Sequence, residues 1–235
     1  GTNRMSVFTV GKATQGYANY LKAHFAAPSV AIAYDSRINS RLFAETAAGV
    51  FAANGIRVHI YPRLMPTPSL SFAVRDLRSC GGVVITASHN PAKYNGYKVY
   101  GADGCQITTE AAAAIQQEID RIDPFADVHT LDFAEGLASG IIAYIGEDTV
   151  ERYLAAVSAA SLLPEDVSRS ASIVYTPLNG TGISCVPRCL RAHGFANITI
   201  PPEQAEPDGT FPTCPYPNPE IREALSVGLR LAEET

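Results

Sequence analysis

An α/β fold with a mainly parallel sheet is predicted by three observations. Short apolar runs at Val30–Tyr34 and Gly82–Ile85 have the length and continuity of buried strands, and Arg57–Tyr61 reads as a further strand. Segments with apolar residues at helical spacing lie between them, and that strand-helix rhythm implies parallel strands joined by right-handed crossovers. The same rhythm returns after Gly146. The fold class is therefore α/β, with two units, each a mixed, mainly parallel sheet sandwiched between helices. Residues 1–140 form the first and 146–235 the second, which is incomplete because its series ends on a helix with no closing strand.

At the start of the chain, Gly1-Thr2-Asn3-Arg4 reads as a polar loop inside a fold, and Tyr17, Ala18, Leu21 and Phe25 predict a helix over 14–25, ended by Pro28. Val30–Tyr34 is a strand running into Asp35-Ser36-Arg37. Ser40–Asn54 is a helix stopped by Gly55. The strand Arg57–Tyr61 precedes Met65-Pro66-Thr67-Pro68, an extended turn before a helix over 69–77. Tyr97–Tyr100 comes too soon after Gly82–Ile85 for a parallel crossover, so those two strands pair antiparallel.

Thr108–Ile122 is a helix, and Asp123–Gly140 shows no clear period. In the second unit, Asp148 and Glu151 suggest a capping box for a helix over 149–162. A strand over 172–176, the turn Asn179-Gly180-Thr181-Gly182, a helix over 183–193, a strand over 197–201 and a last helix from Glu220 complete the chain.

Composition narrows the function. The 235 residues are 46% hydrophobic, and 18 basic against 23 acidic residues give a net charge of -5. That balance argues against nucleic acid, which needs a basic surface, while leaving room for a local basic pocket that takes a small phosphorylated molecule. No apolar run approaches the roughly 18 residues of a membrane span, and no secretory signal pattern is present, so no membrane partner and a cytoplasmic location are expected. The five cysteines lack CxxC spacing, which suggests neither a disulfide framework nor a zinc site. His24, His59, His129 and His193 are scattered and read as surface or core residues.

The polar cluster after the third strand, Thr86-Ala87-Ser88-His89-Asn90-Pro91, carries the chemistry. In open α/β sheets ligands bind at the carboxyl ends of strands, and Ser88 is placed there. Hydrolysis is disfavoured, because no GxSxG elbow is present and an adjacent histidine is poorly placed to act as the base. A serine that carries a phosphoryl group is the other reading. Such a group brings close to two negative charges, for which Arg37 and Lys98 are the available cations.

These residues bear a resemblance. Thr86–Pro91 with Tyr94-Asn95-Gly96-Tyr97-Lys98 is similar to the phosphoserine loop of the α-D-phosphohexomutase family, the phosphoglucomutases and phosphomannomutases. Asn3-Arg4-Met5, Tyr34-Asp35-Ser36-Arg37, Thr176–Gly182, Pro207-Asp208-Gly209 and Pro217–Glu220 extend the likeness over the chain, closest to the bacterial branch that includes phosphopentomutase-like members.

The resemblance implies a sugar phosphate substrate and an exchange between sugar 1-phosphate and 6-phosphate through a bisphosphorylated intermediate. It implies Ser88, His89 and Lys98 as catalytic residues, with Asn90, Arg37 and Arg4 binding substrate or phosphate. It also implies Mg2+, to which this chain would contribute only the phosphate on Ser88, and a glucose 1,6-bisphosphate-type activator. The aspartate-rich metal loop of the family has no counterpart here, so the chain is expected to be an N-terminal portion with little or no turnover by itself. A non-catalytic binding module and a phosphopentomutase are the alternatives.

Overall fold

The computed structural model describes residues 4–164 and 166–234. Of the expected polar loop at the start, Gly1–Asn3 lie outside them. The chain forms two compact units that interleave in sequence. One comprises the segments up to Asp35, Asn39–Thr86 and Asn95–Gly146, and the other Ser36–Ile38, Ala87–Tyr94 and the chain from Glu147 onward. The α/β class and the mostly parallel sheet are as the sequence predicts.

The first unit is a five-stranded sheet. Strands β1 (Ser29–Tyr34), β2 (Arg57–Ile60), β3 (Gly81–Ile85), β4 (Tyr97–Gly101) and β5 (Ile142–Tyr144) lie in the order β4-β3-β1-β2-β5. Only β4 is antiparallel, pairing with β3 in the register Val84↔Lys98 and Ile85↔Tyr97. Helices α1 (Val7–His24), α2 (Ser40–Ala53), α3 (Thr67–Asp76), α4 (Thr109–Asp120) and α5 (Phe133–Ser139) connect and cover the strands. The main core gathers Val10, Tyr17 and Leu21 of α1 and Phe43, Ala47 and Phe51 of α2 against Val30, Ile32, Val58, Ile60, Val83 and Ile85. Residues at alternate strand positions point to one face, so Ala31, Arg57, His59 and Lys98 face the other way.

Three boundaries differ from expectation. α1 starts at Val7, seven residues before the predicted helix, because Ser6 and Thr9 form a reciprocal capping box. Gly11 lowers helix propensity in this first part and hides its pattern. Gly16 serves packing, since a Cβ there would stand 2.8 Å from the backbone nitrogen of Ile119. The prolines at 66 and 68 start α3 rather than delaying it: Pro66 is the N-cap and Pro68 lies in the first turn, where a missing N–H costs no helical bond. The stretch read as without period contains α5, capped by the Asp132 carboxylate accepting from Ala134 and Glu135 N–H, and leads into β5. A strand of three residues is too short to show alternation.

The second unit is built around a two-stranded parallel pair, β6 (Ile173–Val174) and β7 (Ile198–Thr199), both shorter than predicted. Helices α6 (Glu147–Ala159), α7 (Val186–Ala192), α8 (Pro202–Ala205) and α9 (Ser226–Glu234) accompany it. Asp148 is inside the first turn of α6 rather than capping it, and pairs with Arg152 at 2.9 Å. The single helix expected over 183–193 is a 3-10 turn, Thr181–Ser184, followed by α7. Pro187, in the first turn of α7, cannot donate to a preceding turn and so fixes where that helix begins. The last helix begins at Ser226, after a 3-10 turn over Arg222–Leu225. No helix among the described residues is long and apolar enough to cross a membrane.

Candidate active site

The serine loop leaves the sheet where β3 ends. All of β3 is buried, as are Thr86 and Ala87, and the Thr86 N–H donates to Gly96 O at 3.0 Å. The chain then emerges at Ser88, which is exposed and adopts the left-handed conformation at φ 55°. A side chain there costs on the order of 1 kcal/mol, so surrounding contacts must hold the conformation. Two turns shape the loop around and after the serine, Asn90 N–H to Ala87 O at 3.1 Å and Tyr94 N–H to Pro91 O at 3.0 Å.

Arg37 supplies those contacts. Its residue is 3% exposed, and its guanidinium donates to four carbonyls of the loop: Pro91 O at 3.0 Å and Tyr94 O at 2.9 Å from Nη1, Ser88 O at 2.8 Å and Asn90 O from Nη2. The planar fork of five donors makes arginine suited to gathering several oxygens at once. The Phe211 ring lies 5.2 Å from the guanidinium carbon, within cation–π range. The Arg37 segment bridges to Gly209, where a Cβ would come within 2.6 Å of Ile38 N and Ser36 O, so only glycine lets the two backbones meet. Asp208 beside it accepts from the Thr210 N–H and hydroxyl, and these bonds hold its carboxyl below the usual range.

In the first unit a separate chain of hydrogen bonds fixes the segment that returns to the sheet. Asn95 Nδ2 donates to Ser40 Oγ at 2.8 Å, Ser40 Oγ donates to Asp35 Oδ1 at 2.7 Å, and Asn95 Oδ1 accepts from Gly96 N–H. Ser40 is buried. On β4, the Tyr97 hydroxyl meets Thr14 Oγ1 at 3.0 Å, and burial raises the Tyr97 phenol far above its ordinary pKa, so it stays protonated.

Among the site residues expected from sequence, Ser88, His89 and Asn90 are consecutive and exposed in the loop, and Arg37 holds its backbone. Lys98 belongs to the first unit, half-buried on β4 opposite Val84. Arg4 also belongs to the first unit, exposed in the turn before α1. Sequence reasoning misses Phe211, Gly209, Ser40 and Asn95 as site residues. Pro207-Asp208-Gly209 and the Asn95-Gly96 pair stand within the motifs that carry the resemblance, which is the available signal. The Asn179–Gly182 turn is structural: Asn179 Nδ2 donates to the carbonyls of Glu203 and Glu206. Among the described residues no three His, Cys, Asp or Glu side chains converge as a metal cage. The described residues therefore do not make up a complete Mg2+ site.

Comparison with known proteins decides the family. The model of phosphoglucomutase/phosphomannomutase alpha/beta/alpha domain I matches residues 1–125, and that of domain II matches 151–235. The chain belongs to the phosphoglucomutase/phosphomannomutase family. It is 37% identical over 235 residues to a phosphoglucomutase of Staphylococcus saprophyticus subsp. saprophyticus, covering 100% of this chain and 42% of that protein. It is equally 37% identical over 249 residues to a phosphoribomutase of Saccharomyces cerevisiae, covering 100% of this chain and 40% of that one. Among solved structures, a Thermus thermophilus protein provisionally assigned as a phosphomannomutase superposes with a TM-score of 0.81 at 28% identity, over 97% of this chain and 48% of that chain. The chain thus spans less than half the length of the relatives it matches.

Proposed function

We propose that this chain is the phosphoserine-bearing portion of a phosphohexomutase that interconverts sugar 1-phosphate and 6-phosphate, glucose being the first choice of sugar. The observation that carries the reading is Ser88, exposed in a left-handed turn at the end of a buried strand, with its loop carbonyls gathered by a buried arginine. In this reading residues 1–140 act as domain I and 146–235 as part of domain II. The relatives' greater length supports treating the chain as one portion of a longer enzyme with low turnover alone.

The chemistry is a phosphoryl exchange. The bond between Ser88 Oγ and phosphorus breaks as a bond forms between phosphorus and a sugar hydroxyl oxygen, and the hydroxyl proton passes to a base. The resulting sugar bisphosphate then returns its other phosphoryl group to Ser88. Lys98 or His89 serves as the proton acceptor and donor, Asn90 and Arg4 contact the sugar phosphate, and Arg37 acts by holding the loop. The full-length enzyme would supply the remaining ligands of Mg2+ and be primed by a glucose 1,6-bisphosphate-type activator. A cytoplasmic location fits such a substrate.

Full-length protein incubated with glucose 1,6-bisphosphate should gain one phosphoryl group, mapping to the Ser88 peptide and absent in Ser88→Ala. Phosphate at another residue, or none, would overturn the proposal. A second reading, a pentose-phosphate mutase, is favoured by the equal identity to the yeast phosphoribomutase. Rates with glucose 1-phosphate and ribose 1-phosphate decide between them.

A further inference from the structure

A cavity of about 500 Å³ opens in the first unit at the amino-terminal ends of three adjacent parallel strands. This is the end of the sheet opposite the one from which β3 runs into the serine loop. Ser29 begins β1, Arg57 begins β2, and Ser139 and Ile141 lead into β5, with Leu77 after α3 closing one side. His59 lines the cavity too. Arg57 and His59 are two residues apart on one strand, so their side chains share a face, the face turned away from the main core that takes Val58 and Ile60.

The charges at this site are of one sign. The lining residues include no carboxylate, although the whole chain carries an excess of acidic residues. Arg57 makes no ion pair among the described residues, and the cavity around His59 is lined by Arg57 from its own strand and by Ser29, Ser139, Leu77 and Ile141, with the Ser139 hydroxyl donating to Gly136 O. Concave sites lined by one sign of charge concentrate counter-ions. Burial, and then the Arg57 charge, lower the pKa of the His59 ring, so an anion placed between the two would remove the second of these penalties.

We propose that this cavity binds the phosphate group of a small organic phosphomonoester, with Arg57 and His59 as its two cationic partners and the Ser29 hydroxyl as a further donor. A doubly charged phosphate matches two cations where a monovalent anion matches one, and Leu77 and Ile141 offer apolar surface to the organic part. The proposal does not rest on the phosphoryl-transfer reading.

The test monitors the His59 ring resonance by NMR, assigned through its loss in His59→Gln, while inorganic phosphate or phenyl phosphate replaces chloride at constant ionic strength. Both should raise the pH midpoint of His59 saturably, by about 0.5 or more, phenyl phosphate at lower concentration, and Arg57→Gln should abolish the rise. Arg57 is exposed at the start of its strand, so this variant keeps the fold, checked by an unchanged spectrum elsewhere. An unmoved midpoint, or the same rise in Arg57→Gln, overturns the proposal.

Discussion

Arg37 donates to the carbonyl oxygen of Ser88 at 2.8 Å, so the cation expected to face a phosphate grips the backbone that presents the serine. The distinction has a measurable side. Arg37→Lys keeps the charge but loses the fork, and should destabilise the protein by about 1–2 kcal/mol, against about 2–4 kcal/mol for Arg37→Ala, which strands four carbonyls. Urea denaturation gives both values. Limited proteolysis should cut within 87–94 faster in each variant, and equal cutting rates would contradict the holding role.

Ser88 pays a conformational penalty for its exposure. Ser88→Gly should stabilise the protein by about 1 kcal/mol, because glycine accepts positive φ without a Cβ clash, while Ser88→Ala should give no such gain. Neither variant can carry phosphate at residue 88. Thermal unfolding of the two side by side separates strain from the loss of the hydroxyl, and a Gly variant no more stable than the Ala variant would refute the strain.

At Gly16 two effects of opposite sign compete. Alanine would gain about 1 kcal/mol in helix propensity, but its Cβ would lie 2.8 Å from Ile119 N and 2.9 Å from Ile119 Cα. Backbone yields less than a side chain tip, so the upper part of the overpacking range, about 3 kcal/mol, applies. Gly16→Ala should therefore be destabilising by about 2 kcal/mol net, measured by urea titration, and a rise in stability would show that α1 and α4 can part without cost.

His59 makes stability depend on pH. Burial, then Arg57, lower its pKa from 6.5, so below that value the unfolded chain takes up a proton that the folded chain resists. The unfolded state binds more protons in this window, and stability falls as pH drops. Above the ordinary value the ring is neutral in both states and its contribution is complete. Urea midpoints measured from about pH 8 to pH 5 should show this fall, and His59→Gln should make the curve shallower.

How much of the fold can be read from the sequence depends on how each segment is buried. β1 and β3 are legible because both faces of these central strands are covered, which forces continuous apolar runs such as Val30–Tyr34. β5 is not, since three residues at an edge need no pattern. The first half of α1 is obscured by Gly11, a weak helix former in the turn that follows the Ser6 cap. Ser88 stands out by its position at the end of a core strand, and Arg37 by its position at the end of β1. Phe211 and Gly209 do not, because their role depends on a contact far away in sequence. Asn95 and Ser40 are visible only as letters in the chain, with nothing local to show that one side chain reaches the other.

The interleaving of the two units bears on how this protein can change over generations. Arg37 and the serine loop are encoded inside the stretch that builds the five-stranded sheet, yet they fold with Phe211 and Gly209. A genetic crossover near residue 146 would pair one parent's loop with the other parent's ring and glycine. Such a chimaera keeps the Arg37–Phe211 and Arg37–Gly209 contacts only where both parents carry these residues.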